Sequence, residues 1–162
     1  MRVYRAKDFK RCGRAVHFGE NLRLSGVENI SLGDNVHIGS GAFIRGEGGL
    51  SIGDNTHISR NLVLYTINHN YNGVCLPYDN TMIEKPVTIG RNVWIGMNVC
   101  IAPGTTIGDG AIIGLGAVVF GNVPPLAIIG VAQWQVIGMR DREHYEELER
   151  AGKFGGMNGR PL

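Results

Sequence analysis

Aliphatic residues recur every six positions along most of this chain. From Ile89 onward, isoleucines open five consecutive six-residue blocks, and glycine follows four of these isoleucines. A period of six is neither the 3.6 of a helix nor the 2 of a simple strand, and it is typical of solenoid coils built from three short strands each. The repeat has fifteen positions in five sets of three: Cys12, Phe18, Leu24; Leu32, Ile38, Ile44; Ile52, Ile58, Leu64; Ile89, Ile95, Ile101; and Ile107, Ile113, Val119. The pattern predicts an all-β parallel β-helix of about five triangular coils with an aliphatic interior.

The interruptions of the repeat all fall at one position in the coil. The longer steps follow the third residue of a set, at Leu24, Ile44 and Leu64, and are eight, eight and twenty-five residues long. Glycine follows nine of the ten first and second positions and none of the third positions, which indicates two tight corners and one open corner. The alternative, a β-sandwich, would instead show alternation with a period of two and irregular turn spacing.

This organisation divides the chain into three parts. We expect residues 1–11 to cap the N-terminal end, residues 12–138 to form the β-helix, and residues 139–162 to form a charged helix followed by an aperiodic tail. Residues 65–88 leave the β-helix as one long loop, and such loops are usually functional. The loop contains His69, which can act as a general base near neutral pH. The alternative is a polar loop in which this histidine has no role.

Composition and charge narrow the classes of function. The chain has 162 residues, 25 of them glycine, and a formal net charge of +2, which does not indicate a general nucleic-acid or membrane-surface binder. No apolar run reaches about eighteen residues, so no membrane span is expected. The basic N-terminus lacks an apolar segment, so we expect no signal peptide and a cytoplasmic location. The three cysteines, Cys12, Cys75 and Cys100, match no zinc spacing and fit reduced thiols.

One stretch of sequence carries a resemblance to a known family. The segment KPVTIGRNVWIGMNVCIAPGTTIGDGAIIGLGAVV, followed by NVPP, resembles the hexapeptide-repeat acetyltransferases of the galactoside/maltose acetyltransferase branch. The resemblance implies a left-handed β-helix, acetyl-CoA as co-substrate and no metal. It also implies direct acetyl transfer to a hydroxyl of a sugar or polysaccharide-type acceptor. It further implies a homotrimer with active sites in grooves between neighbouring subunits.

The resemblance also implies roles for individual residues. The family's catalytic base lies seventeen residues after the aliphatic residue that opens its coil, and Ile52 to His69 has that spacing. The Met97 backbone N–H takes the place of the oxyanion donor. Phe120 stands where the family carries a threonine, so the usual lysine contact that follows is absent. The resemblance implies cofactor contacts at Trp94, Met97 and Leu115. In place of the absent lysine contact, we expect Phe120 to stack on the adenine and Arg140 or Arg142 to meet the CoA phosphates.

A column of histidines precedes the second aliphatic position of the first three coils. His17, His37 and His57 are twenty residues apart, and Trp94 holds the same place in the fourth coil. The column is either a stacked surface ladder or part of an acceptor site. By resemblance, the acceptor contacts are His37 in place of a tyrosine, Gly39 in place of a sugar-binding asparagine, Glu47 and Met82. These replacements imply an acceptor different from a simple galactoside.

Three other functions remain open at this point. An amino-sugar N-acetyltransferase would use the same fold and cofactor, and a non-catalytic scaffold would use the fold alone. A metal enzyme like the γ-carbonic anhydrases would need two histidines five residues apart on one coil. This chain lacks that pair.

Overall fold

The computed structural model of the chain describes residues 3–72, 74, 78, 80–130, 143, 146, 147, 150 and 151. These residues form a parallel β-solenoid whose strands build three sheets, one for each position of the coil. Two short 3₁₀ turns, Ala6–Asp8 and Val27–Asn29, precede strands of the first sheet. None of the helical stretches among the described residues has the length and apolarity needed to span a bilayer.

The three sheets run the length of the solenoid, and within each sheet all strands are parallel. The first sheet contains β1 (Arg11–Cys12), β4 (Ile30–Leu32), β7 (Leu50–Ile52), β12 (Val87–Ile89), β15 (Thr106–Ile107) and β18 (Asn122–Val123). The second contains β2 (His17–Phe18), β5 (His37–Ile38), β8 (His57–Ile58), β13 (Trp94–Ile95), β16 (Ile112–Ile113) and β19 (Ile128–Ile129). The third contains β3 (Arg23–Ser25), β6 (Phe43–Arg45), β9 (Val63–Tyr65), β14 (Cys100–Ile101) and β17 (Val118–Val119). The long loop forms an antiparallel hairpin of β10 (Ile67–His69) and β11 (Met82–Glu84).

The period-six residues fill the interior, as the sequence predicts. Ile95 lies between Ile58 and Ile113 in the second sheet, and all three side chains are buried. Each inward residue therefore packs on its equivalents in the coils above and below. Burial of one such aliphatic side chain contributes about 1.5–3 kcal/mol, so the stability of the solenoid is spread evenly over its coils.

The solenoid has about six turns, so the prediction of five coils is wrong. After Val119 the chain continues with Val123 in the first sheet and Ile129 in the second. The step from Val119 to Val123 is only four residues, because a short corner passes through Phe120 and Gly121, and Gly121 has a positive φ of 71°. The six-residue frame is lost at this corner, although the coil continues.

The predicted C-terminal helix is not shown by the structure. Most of residues 139–162 lie outside the described part of the chain, where only residues 143, 146, 147, 150 and 151 are described. The chain divides into two compact units, residues 1–131 and residues 132–162. The boundaries predicted for the N-terminal cap, the β-helix and the tail stay predictions.

The outward faces of the three sheets differ in character. The first sheet carries a polar column of Arg11, Ser31, Ser51, Thr88, Thr106 and Asn122. The second sheet carries His17, His37, His57, Trp94, Ile112 and Ile128. The third carries Arg23, Phe43, Val63, Cys100 and Val118. Two of the three faces thus bring aromatic and aliphatic groups to the surface, which is typical of interaction sites.

Glycine at the tight corners allows neighbouring coils to approach each other. A Cβ added at Gly53 would lie 2.7 Å from the Arg91 nitrogen and the Gly90 carbonyl carbon. Both are backbone atoms and cannot move aside. At Gly130, by contrast, an added Cβ would meet nothing within 4 Å.

We therefore expect Gly53→Ala to destabilise the fold and Gly130→Ala to leave it unchanged. The added methyl group forces two hydrogen-bonded coils apart, and overpacking of this kind costs about 1–3 kcal/mol. Urea unfolding of both variants beside the parent measures the difference. Equal stability of the Gly53→Ala and Gly130→Ala proteins would contradict the close-stacking argument.

Candidate active site

The long hairpin starts from a root that is fixed in the core. Thr66 is fully buried, and its hydroxyl donates to the Arg45 carbonyl oxygen at 2.7 Å and accepts the Gly48 N–H at 2.8 Å. Ile67 is also buried, so the chain leaves the core only after this residue. β10 and β11 then pair, and His69 lies two residues beyond the buried root. The base of the hairpin therefore holds His69 at a defined distance from the solenoid.

The His69 side chain is exposed at the end of β10. Its ring stacks on the Tyr78 ring, with 4.0 Å between centroids and 14° between planes. Met82 lies opposite His69 across the hairpin, and the His69 backbone N–H donates to Asn68 Oδ1 at 2.9 Å. Tyr78 is not among the residues predicted from the sequence, although an aromatic residue in the same loop as His69 is the signal that could have identified it. The stack fixes the plane of an imidazole that remains open to solvent, as a proton acceptor requires.

The predicted histidine column is confirmed. His17 pairs with His37, His37 with His57, and His57 with Trp94, all along the outside of the second sheet. The His37 and His57 rings stack with centroids 4.1 Å apart and planes at 15°, whereas His17 and His37 are 5.6 Å apart and tilted by 47°. His37 Nε2 also lies 3.3 Å from Asn35 Oδ1. Stacked rings point in one direction instead of converging on one point.

An open groove of about 770 Å³ runs along this column, a volume within the usual range for ligand sites. His37, Gly39, Trp94 and Met97 all line it. The groove also includes Arg60, which is not among the residues predicted from the sequence. The signal for Arg60 was Ser59, the one first or second position where glycine does not follow the aliphatic residue.

Gly39 has a structural explanation besides its place in the groove. A Cβ at this position would lie 2.5 Å from the Ser59 carbonyl carbon and oxygen. Gly96 is in the same situation, with an added Cβ 2.7 Å from the Leu115 nitrogen. Glycine at position 39 is therefore explained by coil stacking, although Ser59 holds the equivalent position of the next coil, and its presence by itself says nothing about the acceptor.

Glu47 lies apart from the histidine groove. It lines a second groove, on the third sheet, with Phe43 and Arg45. Burial acts to raise the pKa of Glu47, but hydrogen bonds from its own backbone and from Ser25 and Arg45, with the Arg45 charge, hold it below the usual value. Arg45 Nη2 lies 3.1 Å from Glu47 Oε1. Within one chain, the predicted acceptor contacts are therefore divided between two faces.

The predicted cofactor contacts are exposed toward the C-terminal end of the solenoid. Met97 and Leu115 occupy equivalent corners in successive coils, and the Gly116 N–H donates to the Met97 carbonyl oxygen at 2.8 Å. Trp94 is 57% exposed on the adjoining strand, and Phe120 is 77% exposed at a different corner. Arg140 lies outside the described residues. The structure thus places three of these contacts near one corner and Phe120 apart from them.

The described residues contain no group of three or more histidine, cysteine, aspartate or glutamate side chains that could hold a metal ion. The stacked imidazoles of the column are consistent with this result, because zinc ligands must converge on one point.

Comparisons with known proteins agree with the repeat. The family described as bacterial transferase hexapeptide (six repeats) matches residues 86–121, and the family described as hexapeptide repeat of succinyl-transferase matches residues 29–66. No curated protein sequence gives a significant match.

Solved structures of acetyltransferases resemble the chain in fold and sequence. A maltose O-acetyltransferase from Clostridium difficile 630 is 31% identical over 84% of this chain and 72% of its own, with a TM-score of 0.70. A hexapeptide-repeat acetyltransferase from Vibrio cholerae O1 biovar eltor, complexed with acetyl-CoA, is 25% identical over 83% of this chain and 74% of its own, with a TM-score of 0.71. A galactoside acetyltransferase in complex with coenzyme A is 29% identical over 91% of this chain and 72% of its own, with a TM-score of 0.62.

The histidine column makes the stability of the protein depend on pH. Burial, and then the charges of His57 and His17, lower the pKa of His37 below its ordinary value of 6.5. A histidine with a lowered pKa binds fewer protons in the folded chain than in the unfolded chain. Its contribution therefore destabilises the fold as the pH falls from 6.5 toward the lowered value, and it vanishes above 6.5. We expect the Tm of the His37→Gln protein to fall less than the Tm of the parent when the pH is lowered from about 7.5 to about 5.5.

Thermal unfolding of the two proteins at both pH values measures this difference. Arg11→Gln, on the first sheet, is the control and should show the same loss of Tm as the parent. An equal loss for His37→Gln and the parent would contradict the effect of the column.

Proposed function

The chain belongs to the hexapeptide-repeat acetyltransferases, and on that premise we propose that it transfers the acetyl group of acetyl-CoA to a hydroxyl of a sugar or polysaccharide-type acceptor. The chain is an acyltransferase with acetyl-CoA as its co-substrate. The single observation that carries the proposal is the exposed imidazole of His69, which a hairpin rooted in the core presents outside the coils. The likeness to a maltose O-acetyltransferase supports a hydroxyl acceptor.

The reaction is a direct transfer between two bound molecules. The acceptor oxygen attacks the thioester carbonyl carbon, the C–S bond breaks, and the sulfur leaves as the thiol of CoA. His69 takes the proton of the hydroxyl as the new C–O bond forms and delivers it to the departing sulfur. Because the thioester is already activated, no acyl-enzyme is needed. The protein contributes alignment of the two substrates and general-base catalysis.

Met97 supplies the proposed donor to the tetrahedral oxyanion. Its backbone N–H has no hydrogen-bond acceptor among the described residues, whereas the flanking Gly96 and Asn98 N–H groups are bonded to neighbouring coils. An unpaired N–H at an exposed corner is available to a ligand. It stabilises the negative charge on the carbonyl oxygen in the transition state.

The proposed cofactor site surrounds this donor. Trp94, Met97 and Leu115 present exposed apolar side chains along which the pantetheine arm lies, and Phe120 stacks on the adenine. The role of Arg140 toward the CoA phosphates stays a prediction from the sequence, because this residue lies outside the described part of the chain. We also assign a left-handed winding to the solenoid, because the chain belongs to this family.

The proposed acceptor site requires two copies of the chain. His37 and Gly39 line the groove on the second sheet, Glu47 lines the groove on the third sheet, and His69 and Met82 lie on the hairpin that follows the third sheet. A single chain does not unite these residues. Packing of the second sheet of one copy against the third sheet of the next brings both halves to one groove.

The surface chemistry supports a closed ring of three chains. The second and third sheets carry aromatic and aliphatic residues outward, whereas the first sheet carries polar residues only. When one apolar face of a chain packs on a different apolar face of the next chain, the interface is heterologous. Heterologous interfaces close into rings when the rotation between subunits permits. A triangular coil with one polar face and two apolar faces suits a homotrimer in which the polar first sheet of each chain faces solvent.

We expect a particle of about three times the 17.6 kDa chain mass in sedimentation. Val118→Asp places a charge on the third sheet, at a residue that is 68% exposed in the single chain, and should dissociate the trimer and abolish activity. Thr106→Asp adds the same charge to the first sheet of the same coil and should leave the trimer intact. A monomer with full activity would contradict the proposal that two chains form the acceptor site.

His69→Ala should keep the fold, the trimer and CoA binding, because the residue lies outside the coils. Its turnover should fall by about 10²–10⁴-fold, the usual loss for a general base. The limb of the pH–rate profile in which activity rises with deprotonation of the base should also disappear. The assay measures free thiol release from acetyl-CoA with a panel of hydroxyl and amine acceptors.

His37→Ala is the contrast to His69→Ala. It should raise the KM for the acceptor and preserve the pH limb, because His37 contacts the acceptor and does not take its proton. If the two variants exchange these effects, the base lies in the column. If only amine acceptors yield product, the protein is an N-acetyltransferase.

A further inference from the structure

The groove along the histidine column has a one-sided charge. Its lining includes His17, His37, His57 and Arg60, all of which can carry positive charge. None of the residues that line it, all within the described part of the chain, is aspartate or glutamate. A groove of this composition favours an anion and disfavours a cationic ligand.

Arg60 is the permanent charge in this groove. It is exposed at the corner that follows β8 and has no ion-pair partner among the described residues. Arg14 and Arg91, at another corner of the solenoid, are instead paired with Asp34 and Asp109. The Arg60 guanidinium is therefore available to a ligand, and its planar donors match the oxygens of a phosphate.

The histidines can add positive charge to the groove, because a bound anion favours protonation of their imidazole rings. His37 and His57 stack at 4.1 Å, so a proton on one ring repels a proton on the other. Burial, followed by the charges of His57 and His17, lowers the pKa of His37, and none of the described carboxylates opposes this effect. Of the nearby acids, Asp34 is held by Arg14, and Glu20 and Asp54 lie at the corners and not in the lining. A bound anion would favour protonation of the column and gain affinity from it.

We propose that this groove binds a phosphate group of the acceptor, so that the acceptor is a phosphorylated saccharide. This inference rests on the proposed acetyl transfer and names the acceptor class. Ser40 and Ser59 also line the groove and can donate to phosphate or sugar oxygens. Trp94 lies at the end of the column nearest the proposed cofactor contacts, so a saccharide held by its phosphate near His57 and Arg60 lies beside the acetyl donor.

The phosphates of CoA are the competing ligand for such a site. The proposed cofactor contacts Met97, Leu115 and Phe120 all follow Trp94 along the coils, whereas His17, His37 and His57 precede it. The two sites therefore extend in opposite directions from Trp94. The binding experiment uses the protein saturated with CoA, so that the cofactor phosphates already occupy their own site.

Calorimetric titration of the CoA-saturated protein with inorganic pyrophosphate tests the site. We expect Arg60→Gln to weaken this binding about tenfold or more, which is the effect of losing a hydrogen bond to a charged group. Arg11→Gln removes an exposed arginine from the polar first sheet and should not change the affinity. Loss of affinity in both variants, or in neither, overturns the proposal.

A second titration uses inorganic sulfate, whose charge is constant between about pH 6 and about pH 8. Binding should be tighter at the lower pH, because a bound anion favours the protonated form of His37, whose pKa is lowered in the free protein. His37→Gln should reduce this pH dependence. Sulfate binding that is independent of pH in the parent protein contradicts the role of the histidines.

Kinetics then separate this inference from the proposed function. Acetyl transfer is compared for a hexose, its phosphate monoester and the corresponding nucleoside diphosphate hexose. We expect kcat/KM to be about tenfold or more higher for a phosphorylated acceptor, and Arg60→Gln to remove this preference through KM. Comparison of the phosphate monoester with the nucleoside diphosphate hexose shows which of these two kinds of phosphorylated acceptor the groove binds.

The possible failures point to different conclusions. Transfer to neutral and phosphorylated sugars at equal kcat/KM overturns the phosphate site and leaves the O-acetyltransferase proposal standing. No transfer to any hydroxyl refutes the O-acetyltransferase proposal, and the phosphate site is then judged on the pyrophosphate titration alone.

Discussion

Each coil of this chain can stack on the next only if the two backbones approach to hydrogen-bonding distance along all three sheets. The backbone N–H groups of Gly33, Gly53 and Gly90 each donate to a backbone carbonyl oxygen of the next coil, at 2.8–2.9 Å. The acceptor in each case is the aliphatic residue that opens that coil. At such distances a Cβ on the tight corners would touch the backbone of the neighbouring coil. The first residue of a tight corner is therefore glycine in nine of ten cases, with Ser59 as the exception, and the inward positions are mostly aliphatic. The outward positions, the later corner residues such as Arg60 and Met97, and the open corner remain free for chemistry.

The open corner explains why the candidate base lies where it does. An insertion at a tight corner would separate two stacked coils, whereas an insertion after the third strand leaves the ladder unbroken. The chain uses this corner for its long excursion, and Thr66 anchors the excursion by two hydrogen bonds at its buried root. His69 thus combines a fixed origin with an exposed ring, and its substitution should affect chemistry more than stability.

The same constraint distributes the remaining candidate residues over separate faces. Outward side chains of a parallel solenoid form straight columns, so His37 and Trp94 share the second sheet and Glu47 lies with the third. Columns on different faces of one coil do not converge. A site that uses both faces therefore needs a second copy of the chain, and in the proposed trimer assembly and catalysis depend on the same surfaces.

Much of this architecture follows from the sequence alone. The period of six identifies the inward residues, the three sheets and the column of His17, His37, His57 and Trp94, because a residue's place in the coil is set by counting along the chain. The sixth turn was missed, because the short corner at Phe120–Gly121 breaks the count without ending the coil. Other features depend on distances between residues that are remote in sequence, so only the tertiary structure decided them. These include the stack of Tyr78 on His69, the unpaired Arg60 in the histidine groove, the placement of Glu47 on another face, and the contact between coils that requires glycine at position 39.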